Sequence, residues 1–145
     1  MRDRLTYKAG NENNPCDPIG RTELSIEPDG PARLDHFQSR HRGQRAWRGR
    51  VDAAAVEGIW IALDRAGFPD VARHRLVAGA TLRVLSAISA AGTMRTVRVE
   101  WSIARKLPGY DEAFALLDAI VRQLSEDSVH YPASSKPLVS DVQRA

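Results

Sequence analysis

Apolar and polar positions alternate along some stretches of the chain and recur with helical spacing along others. From Arg21 onward, Leu24 and Ile26 fall on one side and Glu23, Ser25 and Glu27 on the other, which predicts a half-buried strand. Pro28-Asp29-Gly30-Pro31 ends it, because glycine accepts the positive φ of a tight turn and Pro31 has no amide hydrogen to donate. A second strand is expected over 32–40, a turn over 41–44, and a third strand over 45–51 with Trp47 as its inward anchor. Asp52 then offers an N-cap, and Val56, Ile59, Trp60 and Leu63 recur at i, i+3, i+4 and i+7 on one helical face. Gly67 suits a left-handed position after that helix, Phe68 can fold back on Leu63, and Pro69 prevents continuation.

The same logic repeats further on. Residues 80–89 and 94–102 read as paired strands around a turn at 90–93. The clearest period-2 signal is Val97, Val99 and Trp101 set against Thr96, Arg98, Glu100 and Ser102. Pro108 and Gly109 break the pattern, Asp111 is expected to cap a second helix, and Phe114, Leu117, Ile120, Val121 and Leu124 form its buried stripe. Strands with one apolar face and helices with one apolar stripe predict an α+β fold, a single antiparallel sheet with two helices packed on one face. Residues 1–20, rich in Gly, Asn and Pro, are expected to be a flexible lead-in, 21–125 the folded domain, and 126–145 a mobile tail that Val129, Tyr131, Leu138 and Val139 could partly dock.

Composition fits one domain of 145 residues, 43% of them hydrophobic, with no run of apolar residues long enough to span a bilayer, so no membrane partner is expected. The first residues lack the apolar core of a secretory signal, and cytoplasmic residence is the expectation. A single cysteine, Cys16, permits neither an internal disulfide nor a cysteine-based zinc cluster, and no basic neighbour activates it. The net charge of +3 says little by itself, but six arginines (Arg33, Arg40, Arg42, Arg45, Arg48 and Arg50) lie in residues 33–50 with Asp35 as the only acid. Strand alternation puts Arg48 and Arg50 on one face and Arg45 on the other with Trp47.

The run Leu24-Ser25-Ile26-Glu27-Pro28-Asp29-Gly30, Val51, the helix from Val56 to Gly67-Phe68, Val97-Arg98-Val99 and the closing Leu/Ile-rich helix resemble small bacterial ββαββα domains over residues 21–125. Some of those domains have no known function, and one group, the emfourin family, inhibits thermolysin-like metalloproteases. The resemblance implies a single-domain binder or inhibitor.

No G-x-S-x-G elbow, Walker loop or G-x-G-x-x-G fingerprint occurs, and His36, His41, His74 and His130 are scattered without metal-ligand spacing, as surface or turn residues are. Asp111 and Glu112 are adjacent and so point apart on a helix; both sit where acids favour a helix N-terminus. The expectation is therefore a non-catalytic protein-binding domain, inhibitor-like or adaptor-like, with no cofactor or metal. It would contact a protein through an Arg-rich face or a sheet edge. The candidate contacts are Arg40, Arg42, Arg45, Arg48, Arg50 and, in the second loop, Tyr110. The alternative is nucleic-acid binding by segment 33–50, with arginines on phosphates and Phe37 and Trp47 stacked on bases.

Overall fold

Leu5, Tyr7 and Ala9 alternate with Arg4, Thr6 and Lys8, and this short pattern makes β1 (Arg4–Gly10) an interior strand of the sheet. The computed structural model describes residues 3–10, 20–38, 43–72, 81–134 and 136–145. After β1 come β2 (Arg21–Ile26), β3 (Pro31–Phe37), β4 (Gln44–Val51), α1 (Ala53–Ala66), β5 (Leu82–Ile88) and β6 (Met94–Glu100). A single 3₁₀ turn (Ala104–Lys106), α2 (Tyr110–Leu124) and β7 (Val139–Arg144) complete the chain. The strands form one sheet in the order β6-β5-β1-β2-β3-β4-β7, every neighbouring pair antiparallel.

The α+β class and the single antiparallel sheet are as the pattern predicts, but the ends of the chain are not. Residues 4–10, expected in a flexible lead-in, join the two halves of the sheet: β1 pairs with β2 on one side and β5 on the other. The expected mobile tail is pinned as well. Val129, Tyr131 and Leu138 are buried, and the Arg122 guanidinium donates to the Tyr131 carbonyl at 3.0 Å. The Gln123 amide holds Lys136 and Leu138 at 2.9 and 2.7 Å, and β7 then adds to β4.

Both helices lie against the face formed by Leu5, Tyr7, Leu24, Ile26, Leu34, Trp47, Leu85, Val97 and Val99, all buried. The expected stripes of α1 (Val56, Ile59, Trp60, Leu63) and α2 (Phe114, Leu117, Ile120, Val121, Leu124) are buried in the same core. Helix α1 ends as anticipated: Gly67 takes φ 83, its amide donates to Asp64 O, and the Phe68 amide reaches back to Leu63 O at 3.0 Å. The capping expectations fare differently. Asp52 precedes α1, but its carboxylate caps no amide, and its own amide donates to Leu138 O. Asp111 lies inside α2, which starts one residue earlier, after Gly109 at φ 86. A Cβ on Gly109 would stand 2.7 Å from the Ala66 amide nitrogen, so only glycine lets the start of α2 meet the end of α1 this closely.

Candidate functional site

With two helices on one face, no helix or strand among the described residues covers the opposite face of the sheet. A row of hydroxyls and arginines crosses it one residue per strand: Thr96, Ser86, Thr6, Ser25, Arg33 and Arg48. Ser86 and Thr96 hydroxyls lie 2.9 Å apart at one end, and two arginines, Arg33 and Arg48, are direct cross-strand partners at the other end. Ser25, Glu27, Pro31, Ala32, Arg33 and Arg48 line a shallow depression of about 200 Å³ on this face.

The arginines of segment 33–50 divide along the register. Arg33, Arg48 and Arg50 face outward. Arg45 faces the helices, half buried: its guanidinium meets His36 Nδ1 at 3.0 Å and lies 5.2 Å over the Trp47 ring. Because arginine can only donate, Nδ1 of His36 is the acceptor. His36 is thus a buried residue and not a surface one, 2% exposed, while His130 is exposed. Arg40, Arg42, His41, His74 and Cys16 lie outside the described residues.

Tyr110 is also not the surface contact expected of it. It is buried, packs 6.0 Å from Phe114 ring to ring, and donates its hydroxyl to Asp70 O. Burial, with the Asp70 charge nearby, pushes that phenol up to about 12. It borders a second shallow hollow of about 220 Å³ between Ala66, Val71, Leu107 and Pro108.

Ion pairing on the open face leaves a residue of positive charge. Glu27 faces Arg4 at 3.8 Å, Glu23 pairs with Lys8 and Arg21, and Asp35 accepts from Arg33 Nε and Nη2 at 3.0 and 3.1 Å. Burial acts to raise Asp35, yet the hydrogen bonds from Arg33 and Gln44 and the Arg33 charge leave it below the usual carboxylate value. Among the described residues Arg48 and Arg98 have no such acid, and Arg50 spends one N–H on the Asp29 carbonyl at 2.9 Å.

Both edges of the sheet are poor templates for another strand. On β6, Arg95 turns its guanidinium to the helix side, 5.2 Å over the Phe68 ring and 3.3 Å from Asp3. On β7 the pairing with β4 slips between Arg48 and Arg50, and Asp141 takes φ 55. Inward charge and bulged edges are the devices that discourage strand addition.

Beneath the helices lies a polar centre that the sequence reading missed. Arg83 donates to both Asp118 oxygens, at 2.9 and 2.8 Å, and to the Tyr7 hydroxyl, which in turn donates to Asp118 at 2.7 Å. The guanidinium is roofed by Trp101 at 3.7 Å, and its Nε has no hydrogen-bond partner. Burial, then the Asp118 charge, pushes the Tyr7 phenol well up. Burial likewise raises the Asp118 carboxyl, with Arg83 and Tyr7 pulling it back. Joined by these hydrogen bonds beneath Trp101, the trio ties β1, β5 and α2 together.

Among the described residues no three His, Cys, Asp or Glu side chains are placed to hold a metal, and no helix is long and apolar enough to cross a membrane. Comparison with protein-family models, curated proteins and solved structures finds no match to this chain.

Proposed function

We propose that this protein is a small non-catalytic binding domain whose partner is a protein docked on the open face of the sheet. The observation that carries the reading is the asymmetry of the sheet: both helices cover one face, both edges carry strand-blocking features, and the other face presents a row of hydroxyls and arginines. Arginine is over-represented at protein interfaces, and an open antiparallel face on a packed core is a rigid platform. The resemblance to inhibitor-type ββαββα domains points the same way.

The test is capture of a stoichiometric protein from the source organism's lysate after nuclease treatment. Thr6→Trp and Ser86→Trp, in the middle of the open face, should abolish capture while leaving the melting temperature within a few degrees of wild type. Retention by both variants refutes the open face as the docking surface. Nucleic-acid binding through segment 33–50 is the second reading, favoured by the unneutralised Arg48. It requires an affinity that falls linearly with salt on logarithmic axes, with a slope set by the phosphates contacted.

A further inference from the structure

We propose that the depression between β2, β3 and β4 and the β4 face next to it seat the carboxylates of an acidic, extended segment of the protein partner, gripped by Arg48 beside Arg33 in the depression and by Arg50 two residues on along β4. This rests on the open face being the docking surface and specifies what docks there.

Charge comes first. Arg33 and Arg48 are direct cross-strand neighbours, an arrangement that costs stability in an isolated sheet. Asp35 neutralises only Arg33, and the one acid lining the depression, Glu27, faces Arg4 at 3.8 Å. The charge on Arg48 is left for a ligand. Spacing comes second. Arg48 and Arg50 alternate with Gly49 on one strand face and so stand about 6.7 Å apart along β4, the same repeat as acidic side chains at i and i+2 of an extended peptide. Guanidinium groups bind carboxylates through paired N–H donors, which suits this repeat.

Shape and aromatic placement decide between partner classes. Bases need stacking platforms, yet Trp47 is buried on the helix side and Phe37 lies under the Arg21 guanidinium at 4.3 Å. A hollow of about 200 Å³ accommodates a side chain rather than a row of bases. The blunted edges leave the segment lying across the face rather than adding to the sheet.

The experiment is fluorescence anisotropy with a labelled peptide of alternating Glu and Ser, run beside an oligothymidylate of equal charge. The peptide is expected to bind wild type more tightly than the oligonucleotide does. Arg48→Glu with Arg50→Glu should weaken it about tenfold or more, the loss of at least one charge-assisted pair. Arg98→Glu, an exposed arginine at the far end of the sheet, should change little, and Glu27→Gln, which removes the competing carboxylate, should tighten binding. Thermal melts establish that the variants fold. If the double variant does not, amide shifts of wild type on peptide titration should move Arg33, Arg48 and Arg50 and spare Arg98. Tighter binding of the oligonucleotide, or equal effects of the double variant and Arg98→Glu, overturns the proposal. A captured protein lost on Thr6→Trp but kept by the Arg48/Arg50 double variant overturns the acid seat and leaves the docking surface standing.

Discussion

Removing Asp118 isolates a buried charge and therefore measures what the centre of the fold depends on. Its side chain is 4% exposed and accepts three hydrogen bonds, one from Tyr7 and two from Arg83, whose own side chain is 10% exposed. Asp118→Ala leaves the guanidinium with only the Tyr7 oxygen and the faces of Trp101 and Phe114 at 3.7 and 5.3 Å. Breaking such a pair from one side costs about 3–5 kcal/mol, and the cation–π contacts, present before and after the change, offset none of it. For a chain of this length that amounts to a melting temperature lower by roughly 10–20 °C, measured calorimetrically and checked against urea midpoints. The complementary variant removes every polar member at once: Tyr7→Phe, Arg83→Met and Asp118→Leu together should restore stability to within about 1 kcal/mol of wild type, because apolar residues of similar volume avoid the desolvation of the ions. A cost below about 1 kcal/mol for Asp118→Ala, or a triple variant weaker than the single one, refutes the argument that the trio is a mutually compensating unit.

Leu117→Ala, at the middle of the α2 stripe and fully buried, should cost about 2–5 kcal/mol in urea unfolding. Gly109→Ala forces a Cβ to within 2.7 Å of Ala66 and a left-handed φ on alanine, so a loss of about 1–2 kcal/mol or more is expected in thermal melts. Arg45→Glu breaks the bond to His36 and the contact with Trp47 and should lower the melting temperature, whereas Arg48→Glu should stay within about 0.5 kcal/mol of wild type. Tyr7 and Tyr110 both hold their protons more tightly folded than unfolded, so their stabilisation is complete below pH 10, the ordinary phenol value, and is lost as pH rises through the raised folded values, about 12 for Tyr110. Tyr110→Phe should flatten the alkaline fall in melting temperature.

Period alone revealed most of the elements. Val97 and Val99 mark β6, Phe114 to Leu124 mark α2, and the Gly67-Phe68 ending of α1 follows from glycine's access to positive φ. Strand β1 was legible in Leu5, Tyr7 and Ala9, but the Gly, Asn and Pro residues after it outweigh so short a signal. What places it is non-local: two sets of strands, β2 to β4 and β5 to β6, share no pairing until β1 lies between them. The tail is similar, since Val129 and Tyr131 bury only because Arg122 and Gln123 on α2 hold the backbone around them. Arg83 and Asp118 did leave a trace. Arg83 shares the inward parity of Leu85 and Ala87, and Asp118 follows Phe114 by one helical turn. Opposite charges at two inward positions mark a buried pair, although period cannot say that they meet.

The arginine-rich segment shows why a local excess of charge is a poor unit of function. Six arginines in eighteen residues suggest one basic patch, but a strand turns successive side chains to opposite faces, and the register supplies different neighbours to each. Arg45 is drawn under the helices by His36 and Trp47, and Arg33 is answered by Asp35. Arg50 is partly engaged by the turn carbonyl of Asp29. Among the described arginines of the segment, what remains is smaller than the composition implies: Arg48, with no acid beside it, next to Arg33 and Arg50, each already oriented by its own partner. Prior orientation of the neighbouring guanidinium groups lowers the entropy lost when a ligand binds between them. A site of this kind favours one or two well-placed carboxylates over a long uniform polyanion, whose binding grows with the number of cations it can reach. The ratio of peptide to oligonucleotide affinity is therefore the quantity in which the partition of the arginines by the sheet becomes visible.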